Sequence, residues 1–247
     1  MNKLRIGITT IAMMLCMFSV NAQVKKPAVK KAPVKKTTVT TNRTTTIRKK
    51  VIPIPGVRIK LTTDSGVIVI RLYDKTPKHR DNFIKLATEH FFDSLLFHRV
   101  MNAFMIQGGD PLSKNAQPGT MLGNGDVGYT IPAEFDTTLF HKKGVLAAAR
   151  TNNPEKASSG CQFYIVQGKK YTDSELNMLE MQKGMKFSPA KRKIYQTIGG
   201  TPFLDMDYTV FGEVESGLAV IDKIASVLTD GNNRPLGDVH MYIEVIK

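Results

Sequence analysis

From Val57 onward the chain falls into short runs of alternating or β-branched apolar positions. The first two, Val57–Thr62 and Val67–Tyr73, are joined by Asp64-Ser65-Gly66. Apolar runs on either side of a short turn ending in Gly predict a β-hairpin. Thr76-Pro77 then places a capping residue before a proline at the first helical position, and Phe83, Ile84, Leu86, Ala87 and Phe91 point that helix towards a core. Further strands are predicted at Phe97–Val100, Phe104–Gln107, Gly144–Ala149, Gln162–Gln167 and Thr209–Val214. Gly217–Val227 carries Leu218, Ile221, Ile224 and Ala225 at helical spacing, and Val239–Ile246 alternates strictly to the end of the domain. Many short strands, Gly-rich turns and two core-type helices predict a mainly β domain built as a closed antiparallel barrel.

One stretch departs from that rhythm. Between Gly168 and Thr201 the chain is Lys-rich and carries its own helix signals. Thr172 and Glu175 are spaced as a capping box ahead of Leu176, Leu179 and Met181, and Ser188-Pro189 opens a second short helix that ends at Gly199-Gly200. The stretch, about 168–201, is expected to be a helical insertion on the barrel and too small for a core of its own. Met178, Met181 and Met185 within it are expected to pack back on the barrel, a client-binding face being the alternative.

The N-terminal part has no such periodicity. Met1–Arg5 is basic, Ile6–Val20 is mostly apolar, and Val20-Asn21-Ala22 places small residues for cleavage, so residues 1–22 are expected to be a secretory signal peptide and the mature protein to be exported, most simply to a periplasm. Residues 23–56 form a Lys/Pro/Thr-rich linker expected to be disordered. Residues 57–247 form the folded domain.

Charge sharpens this division. The 247-residue chain carries 35 Lys+Arg against 21 Asp+Glu, a net +14 that by itself points to nucleic acid or a membrane surface. Twelve of the basic residues, and no acidic one, lie in residues 1–50, so the rest of the chain holds 23 basic against 21 acidic residues. Nucleic-acid binding is therefore not expected of the domain. The basic segment 23–50 reads as a spacer or as a weak electrostatic tether to an anionic envelope surface. With Cys16 in the signal, Cys161 is the one thiol left, expected to be a small buried hydrophobe. The five His show no metal-ligand spacing, so no metal is expected, and Gly108-Gly109 opens no phosphate-binding loop, so no cofactor is expected either.

Two strings carry the chemistry: Phe97–Asp110 (FHRVMNAFMIQGGD) and Ser159–Ile165 (SGCQFYI). In the first, Arg99, Met101, Ala103, Met105 and Gln107 share one parity, so an uninterrupted strand would bring Arg99 and Gln107 to one face. His98 lies on the other and reads as a structural hydrogen-bonding residue. Gly108-Gly109 ends the run. An Arg and a Gln beside Phe and Met make a polar anchor next to an apolar pocket, the layout of a small-ligand or peptide groove.

These strings resemble the cyclophilin family of peptidyl-prolyl cis-trans isomerases. The F-H-R-x-x-x-x-F-M-x-Q-G-G-D pattern is matched from Phe97 to Asp110, and the S-Q-F-F-I strand in modified form at Cys161–Ile165. Leu204-Asp205 with Val210-Phe211-Gly212, and Thr76–Phe83, match two further motifs. The resemblance spans about residues 57–247 less the insertion. It implies an eight-stranded antiparallel barrel capped by two helices, and rotation of X–Pro bonds in proline-containing polypeptides by an enzyme expected to act as a monomer. It further implies that Arg99 is the catalytic residue and that Phe104, Met105, Tyr164 and Leu204 form a proline pocket floored also by Tyr208. Gln107 would orient the arginine, Gln162 would line the groove, and Ala149 and Arg150 would pair with the extended substrate. Tyr164, Tyr208 and Arg150 replace the family's common Phe, His and Asn, and Phe203 stands where its cyclosporin-associated Trp is found. A chaperone or binding module with incidental activity, and an envelope-attachment protein working through its tail, are the alternatives from other classes.

Overall fold

The computed structural model describes residues 56–246; the signal peptide expected at 1–22, and all of the linker expected at 23–56 except Gly56, lie outside the described residues. β1 (Arg58–Thr63) and β2 (Gly66–Leu72) form the first hairpin, and α1 (Pro77–Thr88) follows. Next come β3 (Leu95–Leu96), β4 (Arg99–Met101), β5 (Met105–Gly108), β6 (Thr130–Ile131), β7 (Val145–Ala148), β8 (Ser158–Ser159) and β9 (Phe163–Val166). The insertion contributes α2 (Asp173–Lys183) and α3 (Pro189–Thr197), before β10 (Val210–Ser216), α4 (Leu218–Ala225) and β11 (His240–Ile246).

Nine of these strands form one antiparallel sheet in the order β3-β11-β1-β2-β10-β7-β9-β5-β4, and β6 pairs separately with β8. The closed eight-stranded barrel expected from the sequence is thus corrected to an open half-barrel of nine strands; the two expected core helices are α1 and α4, and the expected helical insertion supplies α2 and α3. The two edge strands, β3 and β4, are separated in the chain only by Phe97 and His98 and do not pair. The loop ahead of β11 accepts hydrogen bonds from this stretch instead: the Phe97 N–H, between the two strands, donates to the Val239 carbonyl at 2.9 Å and the Val100 N–H of β4 to that of Asn233 at 2.8 Å.

Strands β5, β7 and β9 are buried on both faces, which is why they read as near-continuous apolar runs. Their two-residue period divides two clusters. Ile106, Leu146, Ala148, Phe163 and Ile165 face the main core, where α1 and α4 add Phe83, Leu86, Ile221 and Ile224. Met105, Val145, Ala147, Ala149, Tyr164 and Val166 face the other way, with Val210 and, half-buried, Phe104, Leu204 and Tyr208. In the main core the Phe83 ring lies 4.8 Å from Phe92, 5.3 Å from Phe163 and 5.4 Å from Phe211, so helix and sheet lock through aromatic contacts.

Two local expectations change. Thr76 precedes Pro77 at the start of α1, but its side chain makes no capping bond. The Glu134 carboxylate does that work, accepting from the N–H groups of Lys78 and His79 at 3.0 Å each and meeting His79 Nδ1 at 2.7 Å. The insertion also has a small core after all: Leu176, Phe187 and Tyr195 are buried together, with Met185 and, from the loop ahead of β7, Phe140 against them. Its helices start as predicted. The Thr172–Glu175 capping box is complete, and Ser188 accepts from the Lys191 N–H. Met178 and Met181 are exposed, so only Met185 packs inward. Cys161 is buried and free, and burial pushes its thiol up to about 11.

Phe163 bridges α1 and the sheet with no exposed surface to speak of, so Phe163→Ala should cost about 3–5 kcal/mol. Urea unfolding of the domain measures it, and a loss below about 1.5 kcal/mol would contradict the central place given to the aromatic cluster.

Candidate active site

The two predicted strands that carry Arg99 and Gln107 are joined in a tight hairpin, not run together as one uninterrupted strand. Ala103 adopts a left-handed conformation (φ 60°), and the Phe104 N–H closes the turn on the Met101 carbonyl at 3.2 Å. Arg99 therefore pairs directly opposite Gln107, and Met101 opposite Met105. Arg99 and Gln107 do share a face, through cross-strand register and not through parity along one strand. The Arg99 Nη1 donates to Gln107 Oε1 at 3.2 Å, Nη2 meets Met101 Sδ at 3.1 Å, and the guanidinium carbon lies 5.9 Å from the Phe104 ring centre.

What orients Gln107 is a directional chain of amides. Gln107 Nε2 donates to Gln162 Oε1 at 3.1 Å, and Gln162 Nε2 donates to the carbonyls of Gly123 at 3.0 Å and Gly125 at 2.7 Å. Two backbone acceptors thus set which end of each amide is oxygen, and the last oxygen faces Arg99. Gly123 is itself pinned, because its N–H donates to the buried Asp110 carboxylate, whose other oxygen accepts from the Leu112 N–H at 2.7 Å. Gly109 makes this approach feasible: at φ 91° a side chain there would run into the Cys161 carbonyl.

Beside the guanidinium opens a cleft of about 300 Å³. Nine of the ten predicted residues line it: Arg99, Phe104, Met105, Gln107, Ala149, Arg150, Tyr164, Leu204 and Tyr208. Gln162 lines an adjoining cavity of about 200 Å³, which shares Gln107, Gly123, Asn124, Ala149 and Arg150 with the first. The structure brings all ten together. Sequence reasoning missed the 120–124 loop and Asp230, Asn232 and Arg234, which also line the cleft. They stand on Gly/Asn turns whose composition announces a loop but not its neighbours. Among the described residues, no three or more His, Cys, Asp or Glu side chains gather in a way that would hold a metal ion.

The floor is tied to the insertion by a buried relay. The Tyr164 hydroxyl meets His141 Nε2 at 3.0 Å, and His141 Nδ1 meets Asp205 Oδ1 at 2.9 Å. The Tyr195 hydroxyl of α3 donates to Asp205 Oδ2 at 2.7 Å. Burial raises the pKa of both tyrosines, so they stay protonated. On the solvent side Lys183 of α2 reaches the Phe203 carbonyl at 2.8 Å and the Asp207 carboxylate at 2.5 Å, holding the segment that carries Leu204 and Tyr208.

His98 is a correction. It is buried at the cleft, yet neither ring nitrogen has a hydrogen-bond partner among the described residues, so it is not the hydrogen-bonding residue expected. Burial pushes it from its ordinary 6.5 down to about 4.

A cyclophilin-type peptidyl-prolyl cis-trans isomerase/CLD family model matches residues 58–245. The chain belongs to that family. It is a peptidyl-prolyl cis-trans isomerase, in agreement with its relatives. A Staphylococcus haemolyticus protein named for this activity is 34% identical over 184 residues, covering 74% of this chain and 87% of the relative. A Staphylococcus aureus counterpart is 33% identical with similar coverage, 74% and 88%. A crystal structure of a cyclophilin-type isomerase from Cryptosporidium parvum covers 77% of this chain and 98% of its own, with a TM-score of 0.57 at 18% identity, a likeness of fold.

Two predictions follow from the geometry of this cyclophilin site. Tyr195→Phe removes one donor from a buried carboxylate and should cost about 2 kcal/mol in urea unfolding; an unchanged midpoint would mean that the Asp205 relay contributes nothing. The neutral, buried His98 makes stability pH-dependent. Its folded pKa lies below its unfolded one, so the unfolded chain takes up a proton first as pH falls. Its contribution is complete above about 6.5 and declines between about 6.5 and 4, by up to about 1.4 kcal/mol per pH unit. His98→Gln should flatten that slope, and a variant with the parent slope would count against it.

Proposed function

We propose that this cyclophilin catalyses prolyl rotation through Arg99, acting on proline-containing chains after export. The barrier to X–Pro rotation, ~18–20 kcal/mol, comes from amide resonance. No bond need break, so catalysis requires only that the twisted amide be bound better than either planar form. As the bond twists, the nitrogen lone pair localises and becomes a hydrogen-bond acceptor. A guanidinium already held in place can donate to it without reorganising.

The observation that carries this reading is the placement of Arg99: a guanidinium that lines the cleft beside Phe104 and Met105, held by a neutral amide and a thioether, with no carboxylate at ion-pair distance among the described residues. A carboxylate would hold the charge in the ground state; an amide orients it and leaves donors for the substrate. Phe104, Met105, Tyr164, Leu204 and Tyr208 would take the proline ring, and Ala149 and Arg150 would lie along the extended chain. A second Cryptosporidium parvum structure was solved in the presence of the dipeptide Ala-Pro, consistent with a proline-containing substrate here. Export rests on the signal-like pattern of residues 1–22.

The test is a prolyl-peptide isomerisation assay on the mature protein beside Arg99→Ala and Arg99→Lys. The alanine variant should lose at least tenfold in kcat/KM, about 1.4 kcal/mol of barrier, and lysine should not restore it, because it lacks the planar fork. Equal rates in parent and alanine variant would rule this mechanism out.

A further inference from the structure

The arginines of the described domain divide in two. Arg58, Arg71, Arg80, Arg192 and Arg234 each lie within ion-pair distance of a carboxylate. Arg99 and Arg150 do not, and both line the cleft. For Arg99 the isomerase reading accounts for this. For Arg150 it does not.

Arg150 is half-buried, and its guanidinium carbon lies 4.8 Å from the Tyr208 ring centre. Its Nε donates to the Asp207 carbonyl at 2.9 Å and its Nη1 to the Thr151 carbonyl at 3.2 Å. The Asp207 carboxylate itself is not available to it, being divided between Lys156 at 2.6 Å and Lys183 at 2.5 Å. The carboxylates on the two cavity walls, Asp230 and Asp126, are also engaged. Asp230 accepts from the N–H groups of Asn232 and Arg234, and Asp126 from that of Gly128. The ring contact and the two carbonyls fix the plane of the Arg150 guanidinium, while Nη2 has no acceptor among the described residues. A pre-oriented guanidinium with spare parallel donors is matched by a carboxylate.

Its location says whose carboxylate. Arg150 belongs to both cavities, so a chain seated with proline in the first and running into the second passes it. We propose that the groove selects prolyl segments bearing an acidic side chain close to the proline, with Arg150 as its partner. This rests on the isomerase reading of the cleft, and makes Arg150 a specificity-determining residue.

The experiment compares peptides in which Glu, or its neutral isostere Gln, stands at each of three positions on either side of one proline. At low salt, one position should show a Glu-over-Gln ratio in kcat/KM of about threefold to tenfold. That ratio should shrink as salt rises and fall towards unity in Arg150→Gln. Only the ratio within each protein is read, so a general loss of activity in the variant does not obscure it. Peptide binding followed by chemical shifts should give the same preference. A ratio near unity at every position in the parent protein overturns the inference while leaving isomerisation intact. A salt-insensitive preference, or one that persists in Arg150→Gln, overturns the assignment to Arg150. No turnover of any peptide by the parent protein overturns the isomerase reading, and this inference with it.

Discussion

A cation beside an apolar pocket must be held without being neutralised, and the arrangement around Arg99 follows from that requirement. A carboxylate partner would orient the guanidinium but would also compete for its donors. Here the orientation comes from dipoles. Two glycine carbonyls hold Gln162, Gln162 holds Gln107, and Gln107 holds Arg99. Each link has one sense because an amide has a donor end and an acceptor end. The chain is only as rigid as its origin, and the origin is fixed by a buried carboxylate, Asp110, which accepts the Gly123 N–H.

The sheet supplies the second requirement, a wall that is apolar on both faces. Because β5, β7 and β9 are buried on both sides, one set of side chains holds the core while the next builds the cleft. Phe163 and Tyr164 show the division at its sharpest. Adjacent in sequence, they face opposite ways, one into the aromatic cluster and the other into the floor of the cleft. A one-residue slip in β9 would exchange them.

The insertion belongs to the same design. It buries a small cluster of its own, but its polar ties run to the cleft: Tyr195 through Asp205 and His141 to Tyr164, and Lys183 to the segment between Phe203 and Asp207. Tyr in place of the more common Phe at position 164 has a reason in this chain, since its hydroxyl is the last member of that relay.

Much of this was legible without coordinates, because it depends on local periodicity and local chemistry. The hairpin at Asp64-Ser65-Gly66, α1 after Thr76-Pro77, the capping box at Thr172–Glu175 and the both-faces-buried strands are written in spacing and turn residues. The ten residues of the cleft and its adjoining cavity were legible through motifs that keep side-chain types in order. What tertiary structure decided has a common physical cause: it depends on which backbone or side-chain atom, distant in sequence, arrives at a given donor. Glu134 displaces Thr76 as the cap of α1, and the Val239 and Asn233 carbonyls replace a β3–β4 ladder and leave the sheet open. The left-handed Ala103 closes the hairpin between the two strands and sets Arg99 against Gln107 by register. His98 is left without a partner, and Arg150 without a carboxylate, because the nearby acidic groups are taken by others. The sequence by itself determined which residue types the site contains; the fold decided which of them are already satisfied, since a hydrogen bond is settled by position and position is set by long-range packing.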